Sequence, residues 1–235
     1  MSAAMREPLV LIPGLGCSAL LYQAQIPALW PQAAVQVANH TRGATMDEIA
    51  GAILADAPPR FALAGLSMGG YLAFAIMRLA PERVTRLALL DTAATADTPE
   101  VTERRLAAIA MAEADNLDGV VNASWPQAVH ADRVGDMALK SVYRAMYDQV
   151  SLPAYARQQR AIMGRPDSRP GLAAIRCPTL VLVGDGDRLT PPERAEEIHA
   201  GIAGSRLVVV PGCGHISTLE QPDAVNAALR DWLAD

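Results

Sequence analysis

Short apolar runs, most of them followed by glycine and then a helical pattern, constrain this chain more than any other feature. They lie at Leu9 to Ile12, Ala34 to Ala38, Phe61 to Ala64, Arg86 to Leu90, Thr179 to Val183 and Leu207 to Val210. Most are apolar without alternation, the pattern of strands covered on both faces. Helical patterns fall between them, at about Met46 to Ala55, Met68 to Ala80, Pro192 to Ala200 and Pro222 to Leu233. Strands alternating with helices predict a parallel sheet with helices on both faces. At 235 residues, 51% hydrophobic and 19% charged, the chain can close that core as a single α/β domain.

One region breaks the alternation. From about Asp97 to Ala174 the patterns are helical, with helices expected over Val101 to Ala114, Asp132 to Asp148 and Pro153 to Met163. An insertion between two sheet strands is most simply a cap over the strand ends. The expected division is a core of about 1–96 and 175–235 and a helical cap of about 97–174. The insertion holds four of the nine methionines (Met111, Met137, Met146 and Met163), and methionine on a helix is usually core. Its Ala, Leu and Met content with few aromatics points to an apolar acyl pocket and not an aromatic clamp. Arg157 and Arg160 could hold a substrate carboxylate, although helical arginines are usually solvated.

Charge and cysteine content narrow the partners. A formal charge of -5 disfavours nucleic acid, which is normally met by a basic face. No run approaches the roughly 18 apolar residues of a membrane span. The N-terminal MSAAMREP lacks the pattern of a signal peptide. Cys17, Cys177 and Cys213 are too few and too far apart for a disulfide framework or a zinc pattern. Free thiols in a cytoplasmic protein are the simplest account, and no metal or organic cofactor is called for.

The strongest chemical signal is Gly65-Leu66-Ser67-Met68-Gly69-Gly70, placed between an expected strand and an expected helix. The spacing alone arises by chance in about one chain in ten of this length. Its strand–turn–helix setting makes it specific, because the sharp turn requires near-absent side chains two before and two after the serine. A serine hydroxyl needs an oriented base. His215, in Pro211-Gly212-Cys213-Gly214-His215 after the last apolar run, is the best placed of four histidines. His40 has the neighbours of a polar loop residue, and His130 and His199 fall in helical or surface stretches. The third member should be a carboxylate at another strand end. Asp187 follows Thr179 to Val183, Asp91 competes from the end of Arg86 to Leu90, and Asp185 suits a turn or cap. For the oxyanion, the backbone N–H of Met68 and that of Leu15 are the candidates, with Gly16 second to Leu15.

These residues resemble the α/β-hydrolase superfamily, in particular its small capped serine esterases. The most specific matches are Gly65-x-Ser67-Met68-Gly69-Gly70, Gly184-x-x-Asp187-x-x-x-Pro191 and Gly214-His215, and the likeness runs from Leu9 to Leu233. The segment from Arg157 to Pro170 also looks like that subgroup. The family opens its sheet with strands that precede Leu9, so the resemblance implies about six strands, mostly parallel, without the antiparallel edge hairpin. Pro13 stands where the family usually has histidine, which removes a side-chain anchor from the oxyanion loop.

Two other readings compete. Gly14-Leu15-Gly16-Cys17-Ser18-Ala19 fits a dinucleotide fingerprint, but the next strand ends in Asn39-His40-Thr41-Arg42 with no acid for a ribose. Some members of the superfamily are slow-turnover ligand receptors that keep the same residues. The expected activity is hydrolysis of carboxylic esters with small to medium, mainly apolar acyl groups, by Ser67, His215 and Asp187. Lactone, thioester or C–C bond hydrolysis could run on the same residues.

Overall fold

The computed structural model describes residues 6–235. The expectations that touch residues 1–5, the start of the core and the missing signal peptide, lie outside the described residues. Six strands form one all-parallel sheet: β1 (Glu7–Ile12), β2 (Ala33–Val37), β3 (Phe61–Leu66), β4 (Val84–Leu90), β5 (Thr179–Gly184) and β6 (Arg206–Val210). Their order is β2-β1-β3-β4-β5-β6.

The sheet is buried on both faces because each central strand sends alternate apolar side chains to opposite sides. Leu9, Leu11, Ala62, Ala64, Leu66, Ala88, Leu90, Leu180 and Leu182 share one core. Leu29 of α1 (Gln25–Leu29) and Leu229 and Trp232 of α10 (Pro222–Ala234) cover it. Val10, Ile12, Leu63, Leu87, Leu89, Val181 and Val183 face the other way. There they meet α2 (Met46–Asp56), α3 (Met68–Leu79) and α8 (Pro192–Gly201). Each fully buried leucine contributes roughly 1.5–3 kcal/mol.

Four helices lie between β4 and β5: α4 (Pro99–Glu113), α5 (Leu117–Ala128), α6 (Met137–Val150) and α7 (Leu152–Met163). Their apolar residues, among them Ile109, Val121, Trp125, Met146 and Tyr155, join the first core. Sequence reading missed α5, whose pattern is masked by Gly119 and by Pro126 in its last turn. The helix expected over Asp132 to Asp148 begins later, at Met137. Gly135 and a short 3-10 turn at Ala131–Arg133 precede it, and the Asp136 carboxylate caps it by accepting from the Leu139 N–H. Short α1 and α9 (Ser217–Glu220) also went unread, being little more than one turn each.

The strand order fixes where a ligand can bind. From β1 the chain moves to one side for β2 and returns to the other side for β3. A crevice opens at such a reversal, beyond the carboxyl ends of the strands. The loop after β1 and the turn after β3 flank it.

Candidate active site

Ser67 sits between β3 and α3 with φ 56° and ψ −114°, a region that side chains other than glycine rarely adopt. The turn holds this conformation through close backbone packing. A Cβ on Gly65 would lie 2.2 Å from the Gly69 carbonyl oxygen, and one on Gly69 would lie 2.1 Å from that of Ile12. The Ser67 N–H donates to the Leu90 carbonyl (2.9 Å), and Thr92 Oγ1 donates to the Ser67 carbonyl (2.8 Å). The hydroxyl is thereby aimed over the strand ends.

His215 reaches it from the loop after β6, with 2.8 Å between Nε2 and Ser67 Oγ. Its loop is pinned at three points. The His215 and Ile216 N–H groups donate to Ala128 O at the end of α5, and Gly214 N–H donates to Glu220 Oε1 (2.9 Å). Glu220 Oε2 accepts from the His130 N–H (2.8 Å), so one buried carboxylate ties α9 to both loops. Sequence reading passed over Glu220 because nothing local marks a helical glutamate as buried.

The structure brings Asp187 to His215 and holds the other two acids away. His215 Nδ1–H donates to Asp187 Oδ2 at 2.8 Å. A carboxylate can only accept, so this bond leaves Nε2 as the acceptor for Ser67. Asp187 also accepts from the N–H groups of Leu189 (2.8 Å) and Thr190 (3.0 Å) and from Thr190 Oγ1 (2.7 Å). Asp91 is buried beneath the site with φ 44°, where its oxygens accept from Gly184 N–H and Ser217 Oγ. Burial, with Asp187 nearby, pushes its carboxyl well above the usual range. Asp185 is exposed and accepts from the Cys213 N–H (3.1 Å), which is a turn-capping contact. For His215, burial alone would depress the pKa; the charge and hydrogen bond of Asp187 outweigh it and raise the value above 6.5.

His40 is not the polar loop residue its neighbours suggest. It is buried, and its Nε2–H donates to the Gly14 carbonyl at 3.0 Å. Burial lowers its pKa to about 4, so it stays neutral while making this contact. His40 thus supplies, from the loop after β2, an anchor for the loop in which Pro13 offers none. The other end of that loop is held from α7, where Gln158 Oε1 accepts from Gly16 N–H (3.0 Å) and its Nε2 donates to His40 O (3.2 Å). With Gly16 committed to Gln158 and the Cys17 N–H to Gly14 O (3.0 Å), the Leu15 N–H is the free donor of the three among the described residues. Met68 opens α3, where a first-turn N–H has no intrahelical acceptor. Neither Gln158 nor His40 could be found from a motif, since their partners are backbone groups distant in sequence.

A family model described as the alpha/beta hydrolase family matches residues 9–228. The chain belongs to the alpha/beta hydrolase family. Among its relatives, a pimeloyl-[acyl-carrier protein] methyl ester esterase of Neisseria meningitidis serogroup B is 29% identical over 227 residues, 89% of this chain and 84% of that protein. A thermophilic esterase from Thermogutta terrifontis, solved with malate bound, superposes with a TM-score of 0.89 at 31% identity, covering 98% of this chain and 90% of the other. The enol-lactonase from Burkholderia xenovorans gives a TM-score of 0.87 at 27% identity, over 98% and 92% of the two chains.

In this alpha/beta hydrolase a cavity of about 500 Å³ opens onto Ser67 and His215. Its lining is mainly apolar, as expected from composition, but it is also aromatic and cationic, which composition did not suggest. Four of the five tyrosines (Tyr71, Tyr143, Tyr147 and Tyr155) line it. Tyr147 packs between Tyr143 and Tyr155 in tilted pairs, with ring centroids 5.0 and 5.3 Å apart. A low overall aromatic content hid this concentration. Arg104, Arg105, Arg165 and Arg194 line it as well, whereas Arg157 and Arg160 do not. Those two point outward, Arg157 to the Thr41 carbonyl and Arg160 to Glu113. Met111 lines the cavity, Met146 is core and Met137 is exposed.

Cys17 and Cys213 are buried beside the site, and burial pushes the Cys17 thiol up to about 12 and Cys213 higher still. Both thiols are therefore packing groups rather than nucleophiles. Among the described residues no cluster of His, Cys, Asp or Glu is arranged to hold a metal ion, and no helix is long and apolar enough to cross a membrane.

Proposed function

We propose that this chain hydrolyses carboxylic esters through an acyl-enzyme on Ser67. The observation that carries the reading is the unbroken relay from Ser67 Oγ to His215 Nε2 and from His215 Nδ1 to Asp187, each link 2.8 Å. Ser67 Oγ attacks the ester carbonyl carbon while its proton passes to His215 Nε2. The carbonyl oxygen becomes an oxyanion held by the N–H groups of Leu15 and Met68. Collapse expels the alcohol, which takes the proton from His215. Water then attacks the acyl-enzyme, gives a proton to His215, and the acid leaves with Ser67 restored. Asp187 keeps the imidazole in the required tautomer and stabilises its protonated form.

Helices α4 to α7 act in this reading as a cap of about 97–174 on a core of about 1–96 and 175–235. Their cavity-lining tyrosines and the Gln158 contact with Gly16 support that role. The free cysteines fit a cytoplasmic protein, and a small-molecule ester or lactone is the partner. Lactone hydrolysis is the second reading, favoured by the likeness to an enol-lactonase, and would use the same residues.

The test is hydrolysis of p-nitrophenyl acetate, butyrate and octanoate by the protein and by Ser67→Ala. Loss of about 10⁴–10⁶ in kcat is expected for the variant. A loss below about tenfold would remove Ser67 from the mechanism. A single stoichiometric burst would favour the receptor reading.

A further inference from the structure

Two arginines share one carboxylate in the wall of the cavity. Asp97 accepts from Arg105 Nε (2.6 Å) and Nη2 (3.3 Å) and from Arg165 Nη1 (2.8 Å). All three side chains are largely withdrawn from water, with exposures of 5% for Asp97, 7% for Arg165 and 16% for Arg105. The group therefore carries a surplus positive charge where solvent screens it poorly. Burial would keep Asp97 protonated, but its bonds and charge contacts with Arg105 and Arg165 prevail and hold its carboxyl below the usual range.

The two guanidinium groups are not equally free. Arg165 also donates to the carbonyls of Ile162 (3.0 Å) and Thr95 (2.9 Å) and lies 4.1 Å above the Tyr71 ring, which fixes it as a strut. Arg105 gives one further bond, from Nη1 to Gln159 Oε1 (2.8 Å), and Gln159 is held in turn by the Tyr155 hydroxyl (2.7 Å). Among the described residues this leaves one hydrogen on each terminal nitrogen of Arg105 without an acceptor. Arg104 and Arg194, both exposed, add to the same wall, and Asp97 is the only carboxylate among its described lining residues. A chain with a net charge of -5 thus presents four arginines and one aspartate to its substrate.

We propose that Arg105, braced by Asp97 and Gln159, binds a carboxylate carried by the substrate, so that the preferred esters are monoesters of dicarboxylic acids. The proposal rests on the ester-hydrolase reading and adds a substrate class to it. A guanidinium pairs with a carboxylate through parallel charge-assisted hydrogen bonds, which a neutral ester group cannot match. The free end of the diacid lies against Arg105 while its ester carbonyl lies at Ser67. The cavity volume suits a short diacid chain.

The experiment compares monomethyl with dimethyl esters of the same diacids, from succinate to suberate, so that only the distal charge differs. At the best chain length the monoester should exceed its diester in kcat/KM by about ten- to a hundredfold. Arg105→Gln should bring that ratio close to one. Ser67-dependent hydrolysis with diesters equal to or better than monoesters at every length would overturn the proposal and leave the ester-hydrolase reading standing. No Ser67-dependent release from any ester would instead remove that reading. Titration of Ser67→Ala with free diacids of the same lengths gives an answer independent of turnover, and of whether Arg105→Gln folds. Saturable binding of the dianion, absent for the corresponding diamide, supports the carboxylate site. No binding of either overturns it.

Discussion

At the scale of single residues, two buried carboxylates lie near His215, and the hydrogen bonds separate their roles. Asp187 contacts His215, while Asp91 is held by Gly184 and Ser217. Asp187→Asn should therefore lower kcat by roughly 10⁴, because an amide facing Nδ1 favours the wrong tautomer. Asp91→Asn should stay within about tenfold of the parent, since the amide oxygen can still accept from the Gly184 N–H while its NH2 donates to Ser217 Oγ, whose hydroxyl can turn to accept. Steady-state kinetics on the pair checks both, and a larger loss for Asp91→Asn would exchange the two assignments. The pH profile follows from His215. Only its neutral form can take the serine proton, and its pKa is raised by Asp187 against the effect of burial. Activity should thus fall on acidification with a midpoint above the usual histidine value of about 6.5, measured on a substrate for which chemistry is rate-limiting.

At the scale of elements, α7 does two jobs with neighbouring glutamines. Gln158 holds the Leu15 loop and Gln159 holds Arg105. Gln158→Leu should reduce kcat by about 10–100-fold with a smaller change in KM, as expected when a donor for the oxyanion is misplaced rather than lost. A KM effect alone would show that Gln158 serves binding instead. Asp97→Asn should cost about 3–5 kcal/mol of stability, because two largely buried guanidinium groups lose the charge between them. Denaturant unfolding measures that directly. What the sequence made legible follows the same division. Strands β1 to β6 announce themselves as apolar runs, and Ser67, Asp187 and His215 as short motifs at strand ends, because the glycines and acids that such turns require stand close to them in the chain. The helices between β4 and β5 were half legible. Pro126 and Gly119 obscured α5, and no local pattern distinguishes Arg105, which lines the cavity, from Arg157, which faces out. Contacts such as His40 with Gly14 or Glu220 with His130 join residues 26 and 90 positions apart, beyond the reach of periodicity.

At the scale of the whole molecule, the parallel sheet is the frame that gives the site its precision. The residues at Ser67, Asp187 and His215 follow β3, β5 and β6, the loop with Leu15 follows β1, and β4 lies between β3 and β5, so five strands must be in register before the groups converge. Leu63, fully buried in the middle of β3, tests that frame. Leu63→Ala should lower stability by about 2–5 kcal/mol, with kcat of the remaining folded fraction close to that of the parent. The 148 positions that separate Ser67 from His215 also set a timetable for the growing chain. A ribosome releases the serine turn first, helices α4 to α7 next, and the histidine loop after them. A nascent chain that stops short of His215 lacks the proposed base, so on this reading hydrolysis waits for β6 and the loop after it to dock. In refolding, helical signal should accordingly return before hydrolysis does, and catalysis becomes a reporter of the final docking step.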